Sequence, residues 1–248
     1  MTHDNFLDKA LSRDEDTIRD MFSSAARNYD SLNHILSFNR DRGWRKTLVK
    51  KSNFKNYVEN LLVLDLCTGT GDVIFEFLKR PDFKGKTVGV DFSEPMLSIA
   101  RERSERMNVT DRATFILSNV LNLPFKNNTF DIVTIAFGLR NLSNLDAGIN
   151  EIKRVLKPGG CFLSLEFFHP ENGVSRLISS WYVNRVVPLV GNMVNRKKGA
   201  YYYLPASRQK FLLAEQFDMK LKKSGFTNIF HRHFLFRIAT LHRCEKPR

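Results

Sequence analysis

The sequence predicts an α/β fold, a mostly parallel sheet with helices on both faces, and three observations carry that prediction. Apolar runs end in an acid at Asp65 and again at Asp91; the first run breaks into a glycine-containing turn; and a helix-like pattern follows each. Leu61 to Leu64 and Thr87 to Val90 are continuous rather than alternating, as strands covered on both faces are. Gly69 and Gly71 then let the backbone turn sharply and approach a ligand with no Cβ in the way. Asp91 follows at about the 20-residue offset at which such folds place a ribose-binding acid.

In chain order, Ser12 to Glu15 has the form of a capping box and opens a helix with Ile18, Met21, Phe22, Ala25 and Tyr29 on one side. Tyr29 to Arg45 is dense in polar and aromatic side chains, and Tyr29, Asp30, Asn33, His34 and Trp44 read as the lining of a substrate cavity. A capping role for these polar groups is the plainer alternative. The first strand feeds a helix over about Asp72 to Lys79. The second ends at Asp91, where Ser93 is expected to cap a helix with Pro95 in its first turn.

A third strand, Ala113 to Leu117, leads to Asn119 and Val120, placed to hydrogen-bond and pack on an adenine. A fourth, Ile132 to Ala136, runs into Phe137-Gly138-Leu139-Arg140-Asn141. The helix from Asn144 to Leu156 stops at Lys157-Pro158-Gly159-Gly160 and feeds a fifth strand, Cys161 to Glu166. Val174 to Val190 reads as an apolar helix, 191–204 as a lid or membrane-facing flap, and Arg208 to Lys223 as a helix. Two antiparallel strands follow, near Asn228 to His231 and Phe234 to Leu241. His231 and His233 alternate onto one face, but with no third ligand in view no metal is expected.

At 248 residues and 42% hydrophobic content, the chain is expected to form one domain, 1–248, with an N-terminal helical cap over 1–52 and a cofactor-binding core over 53–248. No run of about 18 apolar residues occurs, and the N-terminus is too acidic and polar for a signal peptide. Three cysteines without metal-type spacing fit a reducing cytoplasm. The net charge of +13 is concentrated late: Asn195 to Arg248 holds 13 Lys or Arg against three acids. A basic flank mixed with aromatics suits an anionic membrane surface as well as it suits plain solvation.

The glycine loop lacks the third glycine of a dinucleotide fingerprint, with Ile74 in its place, and Asp65 and Asp72 flank it. Carboxylates repel a pyrophosphate; they suit a ligand with a cationic centre and an ammonium group, which describes S-adenosylmethionine.

Together these segments resemble the class I S-adenosylmethionine-dependent methyltransferases, Rossmann-like with a seven-stranded, mostly parallel sheet and an antiparallel last strand. More narrowly they resemble the ubiquinone/menaquinone biosynthesis C-methyltransferases (the UbiE and MenG family). The narrower likeness rests on Tyr29-Asp30-Ser31-Leu32-Asn33-His34-Ile35-Leu36-Ser37 running to Trp44-Arg45, on FGLRN at Phe137 to Asn141, and on Arg154 to Gly160 running to Glu166-Phe167. It implies that Thr70 contacts the cofactor, Asp91 holds the ribose, Asn119 and Val120 frame the adenine, and Asp65, Gly69 and Gly71 shape the methionine end. Three positions depart from the pattern: Cys67 replaces the first loop glycine, Ala136 stands where a serine is frequent, and Leu32 replaces a methionine. Ala136 favours the menaquinone-type branch.

The implied acceptor is a polyprenylated quinol, reached at the inner face of the cell membrane. Deprotonating a ring hydroxyl makes the ring carbon nucleophilic. Arg140 and Asn141 are the expected partners of the quinolate, His34 the base, and Tyr29 or Asp30 the proton relay. No nucleic-acid partner is expected, and a homodimer is carried as an expectation. An RNA methyltransferase, an NAD-dependent oxidoreductase and a non-catalytic adapter are the rival readings.

Overall fold

The computed structural model describes residues 8–37, 39–54, 60–169, 203 and 206–248, with the side chains of 28–33, 35 and 36 excepted. The expected helix at Val174 to Val190 and the lid at 191–204, Tyr203 apart, lie outside the described residues, as do the side chains of Tyr29 and Asp30.

Among the described residues, a helical turn over 8–11 and the helices α1 (Glu15–Leu36) and α2 (Arg40–Lys51) precede the sheet. The rest runs β1 (Leu62–Leu66), α3 (Asp72–Leu78), β2 (Lys86–Asp91), α4 (Glu94–Arg106), β3 (Ala113–Leu117), β4 (Phe130–Ala136), α5 (Leu145–Val155), β5 (Leu156–Glu166), α6 (Ala214–Lys223), β6 (Thr227–Phe234) and β7 (Ala239–Glu245). The sheet order is β3-β2-β1-β4-β5-β7-β6, and β7 alone runs against its neighbours. The order reverses at β1, so β1 and β4 splay their carboxyl-end loops around a cleft, the place where open α/β sheets bind ligands.

The core has two layers because the side-chain period of a strand is two. Val63, Ile132, Leu163 and Leu241 face Trp44, Leu48, Phe75, Phe77 and Leu97 from α2, α3 and α4. Leu64, Leu66, Val133, Ile135 and Phe162 face Ile149, Ile152, Phe217 and Leu221 from α5 and α6. Helix α1 packs against α4 and α2 against α3, forming the N-terminal cap.

Several local expectations are corrected. The cap of α1 is Asp14, whose carboxylate accepts from the Thr17 amide at 2.9 Å, while the Ser12 hydroxyl turns back to the Lys9 carbonyl. Glu15 is therefore free of the capping box and is used elsewhere. Ser93 sits at the N-cap of α4 but makes no cap bond; its hydroxyl pairs with that of Ser23 at 2.8 Å, tying α1 to the core. Strand β5 starts at Leu156, which pairs with Phe130 across a bulge, so the Lys157 to Gly160 stretch is absorbed into the strand. The expected helix from Arg208 is interrupted, and α6 begins at Ala214. The last hairpin turns at 235–238, later than the sequence suggests.

Candidate active site

At the carboxyl edge of β1, β2 and β4 lies an open cavity of about 940 Å³ counted out to solvent. Asp65, Thr68, Gly69, Thr70 and Asp72 line it from the first loop, Asp91, Phe92 and Met96 from the second, and Asn119, Val120 and Leu121 from the third. Phe137, Gly138, Asn141 and Leu142 come from the fourth, and Glu15, Phe22 and Arg45 from the cap. All seven residues expected at the cofactor are brought together except Gly71, which shapes the loop from behind.

Gly69 and Gly71 have φ of 55° and 87°. A Cβ on Gly69 meets nothing within 4 Å, so that backbone faces open cavity, whereas one on Gly71 would lie 2.7 Å from the Phe75 ring. Gly71→Ala is expected to lower unfolding stability by about 1–3 kcal/mol, measured by urea denaturation, because left-handed strain and overpacking add. Gly138 is needed for close approach: a Cβ there would stand 2.6 Å from that of Cys67, joining the first and fourth loops.

Two acids in the cavity are pushed up from the ordinary carboxylate range toward neutrality. Burial pushes Asp65 up to about 7 against the Thr134 and Thr68 hydroxyls, which donate to it at 2.6 and 2.7 Å. Burial likewise lifts Asp91 to about 6, opposed by amides of Gly69, Ser93 and Phe92. Gly69 and Ser93 donate to opposite oxygens of Asp91 at 2.8 and 3.0 Å. A carboxylate has about four acceptor positions, so capacity remains for a ribose hydroxyl.

Asp72 and Asp41 behave oppositely. Burial raises each, but the Arg45 and Arg103 guanidiniums beside Asp72, and the Ser37 hydroxyl with Arg45 beside Asp41, outweigh it and hold both below the usual range. The result is a chain of charges that sequence reasoning missed. His34 Nδ1 lies 2.8 Å from Asp41, Arg45 bridges Asp41 and Asp72, and Arg103 joins Asp72 to the Thr70 carbonyl and hydroxyl. The Asp41 to Arg45 spacing of i,i+4 was the available signal; the reach of Arg103 from α4 left none.

Arg140 is not on the cavity. It is 5% exposed, and its Nη1 donates to Glu166 at 2.6 Å and to the Phe137 carbonyl at 2.7 Å; Glu166 is wholly buried and also accepts from the Arg140 and Phe167 amides. The pair holds Phe137, at φ 61°, stacked on Phe167 at 4.5 Å. Asn141 does reach the cavity, with its Oδ1 accepting from Tyr203 at 2.8 Å. His34 stands behind Asp72 rather than on the wall. Asn119 lines the wall but is clasped to the cap: its amide donates to Glu15, which also accepts from Ser143.

The donor set fits a cationic nucleoside. Open backbone at Gly69, a hydroxyl-accepting Asp91, an apolar adenine wall of Val120, Phe92 and Met96, and acids at Asp65 and Asp72 match its parts in order. Acids where a dinucleotide site would carry phosphate-binding groups, on a sheet with one reversed strand, define the class: a class I S-adenosylmethionine-dependent methyltransferase. The solved Haloferax volcanii putative methyltransferase, in complex with the Trm112 activator, has this fold, with a TM-score of 0.65 at 17% identity over 92% of this chain and 98% of that one. A "Ubiquinone/menaquinone biosynthesis C-methyltransferase UbiE" of Geobacter sulfurreducens is 41% identical over 95% of this chain and 91% of its own length. A "Demethylmenaquinone methyltransferase" of Lactiplantibacillus plantarum is 37% identical over 91% and 94%. The ubiE/COQ5 methyltransferase family profile matches residues 10–246, and the chain belongs to that family.

Proposed function

We propose that this enzyme is the C-methyltransferase that converts a demethylmenaquinol to a menaquinol, with S-adenosylmethionine as methyl donor. The observation that carries the reading is the cavity itself, which joins an acid-lined nucleoside cleft to an aromatic end at Phe137 beside the buried guanidinium of Arg45. Bound in that cleft, S-adenosylmethionine supplies an electrophilic methyl group on a sulfonium.

The chain's own residues then have two tasks: to orient the acceptor ring and to favour its ionised hydroxyl. Arg45 lies 5.5 Å over the Phe137 ring, held by Asp41 and Asp72, so it presents fixed positive charge at the acceptor end. Preorganised charge of this kind is worth a few kcal/mol to a developing oxyanion. We assign that electrostatic role to Arg45 and give Arg140 a positioning role, holding the turn that carries Phe137 and Asn141. His34, with Nδ1 fixed on Asp41, is the candidate base, with Tyr29 or Asp30 of the same helix as the relay. Arg45→Met is expected to reduce turnover at least ~100-fold beyond any loss of cofactor affinity, read by kcat and by calorimetry; equal losses in both would place Arg45 in cofactor binding alone.

Among the described residues no helix is long and apolar enough to cross a membrane. A polyprenyl tail still has to be met at a bilayer, and the C-terminal flank supports peripheral contact at the cytoplasmic face. Some of its charge is spent on the fold: Arg208 is buried against the Phe168 carbonyl, Lys220 pairs with Asp146, and Lys246 binds two carbonyls. Lys222, Lys223 and Arg232 are exposed, as are Phe230 and Phe236 at 44% and 58%. Co-sedimentation with anionic vesicles, lost in neutral vesicles and at high salt, is the expected result; binding blind to lipid charge would contradict it.

An acceptor panel tests the proposal. Turnover is expected with a reduced demethylnaphthoquinol and absent with RNA; RNA methylation without quinol turnover would overturn it. The apolar lining at Val73, Phe137 and Leu142 favours the quinol.

A further inference from the structure

Far from the cavity, at the outer edge of the sheet, three of the six histidines of the chain gather against α6. The period of two places His231 and His233 on the α6 face of β6, and the register sets His242 of β7 directly across from His231. Helix α6 answers with Glu215 and Asp218, spaced i,i+3 on the face it turns to the strands.

The geometry is compact. His231 Nδ1 lies 2.5 Å from Asp218 Oδ2, and His242 Nε2 lies 3.5 Å from Asp218 Oδ1. One ligand atom from each of these three residues falls within 4.8 Å of the others, and the same holds for Glu215, His231 and His233. The His231 ring is 4.9 Å from that of His233 and 5.4 Å from that of His242. Two polar atoms of these residues are buried without a hydrogen-bond partner, Asp218 Oδ1 and His242 Nδ1; His242 is only 1% exposed, and its Nε2 lies 3.2 Å from the Ala214 carbonyl, a contact that gives way when Nε2 ligates. His233 Nδ1 is steadied by the Thr240 hydroxyl at 2.9 Å.

We propose that Asp218, His231 and His242 ligate one divalent transition-metal ion of the zinc class, with Glu215 and His233 alongside as the source of a fourth ligand. Imidazoles with one or two carboxylates suit zinc, whereas calcium and magnesium take oxygen ligands. Ligand atoms about 2.0–2.2 Å from a tetrahedral ion stand roughly 3.3 Å apart. The Asp218 Oδ1–His242 Nε2 separation already matches, and one ligand atom of His231 lies within 4.8 Å of those of both partners. The ion takes up the unpartnered Asp218 oxygen and clips α6 to the β6–β7 hairpin, where β6 is the last strand of the sheet.

The other histidine–acid cluster, His34 with Asp41 and Asp72, is no rival, because the Arg45 guanidinium already lies between its acids. It provides the control.

The test is a titration of tag-free, chelator-treated full-length protein with cobalt(II) and then zinc(II). One equivalent of cobalt is expected to give visible d–d bands, displaced by one equivalent of zinc, with a rise in melting temperature reversed by chelator. His231→Ala and the near-isosteric Asp218→Asn should each weaken zinc at least tenfold and abolish the thermal shift. S-adenosylmethionine affinity should stay unchanged in both, and His34→Ala should keep full stoichiometry. No cobalt spectrum, or a stoichiometry and affinity unaltered in both His231→Ala and Asp218→Asn, would overturn the assignment.

Discussion

Arg140→Ala is expected to lower unfolding stability by about 3–5 kcal/mol, because it strands a fully buried Glu166 without its cation. For a chain of this length that corresponds to a melting temperature roughly 6–20 °C lower. Arg140→Lys should recover only part of the loss, since an ammonium cannot span Glu166 and the Phe137 carbonyl in the fixed fork of a guanidinium. Cofactor affinity should fall with stability, because the turn from Phe137 to Asn141 forms a cavity wall. A catalytic residue in contact with the acceptor would show the reverse, a large loss of turnover with the melting temperature kept. Thermal unfolding beside kcat in both variants separates the two roles.

The second large effect is on cofactor binding as a function of pH. Asp65 and Asp91 are held up at about 7 and about 6 by burial, against an ordinary value of 3.8, and repulsion from Asp91 adds to the rise at Asp65. A sulfonium and an ammonium favour the ionised acids, so binding expels protons. Affinity is expected to climb from pH 5 to about 7.5, by up to about tenfold per pH unit for each group still protonated, and then level off. Calorimetry in buffers of different ionisation enthalpy reads the released protons directly. Asp65→Asn should flatten the upper part of the curve, and Asp91→Asn should cost about 10–100-fold in affinity through the lost charged hydrogen bonds. The sign for the ligand-free fold is opposite. An acid whose folded value is raised binds more protons folded than unfolded, so these two groups subtract stability as pH rises from about 4 to about 7. Bound cofactor restores it.

The parts of the site that could be read from the chain are those written in local pattern. The apolar runs ending at Asp65 and Asp91, the glycine turn between them and the positions of Asn119 and Asn141 all survive in the structure, because strand ends and tight turns are short-range properties. The parts that could not be read depend on which distant residues meet. Arg140 and Asn141 are neighbours in FGLRN, yet one is drawn under the turn by Glu166, 26 residues away, and the other reaches the cavity. Glu15 resembles a capping residue until Asn119 and Ser143 appear beside it. His231 and His233 lacked a third ligand in sequence because His242 arrives through strand register and Asp218 from a helix.

The central claim is that this cavity transfers a methyl group to a ring carbon of a quinol in its reduced form. The direct measurement is incubation of the full-length enzyme with S-adenosylmethionine carrying a trideuterated methyl group and with demethylmenaquinol, reduced or oxidised, followed by mass and NMR analysis of the product. The account predicts one trideuteromethyl group on the ring carbon with the reduced acceptor and none with the oxidised one. Label on a ring oxygen, or equal labelling of both acceptors, would contradict it.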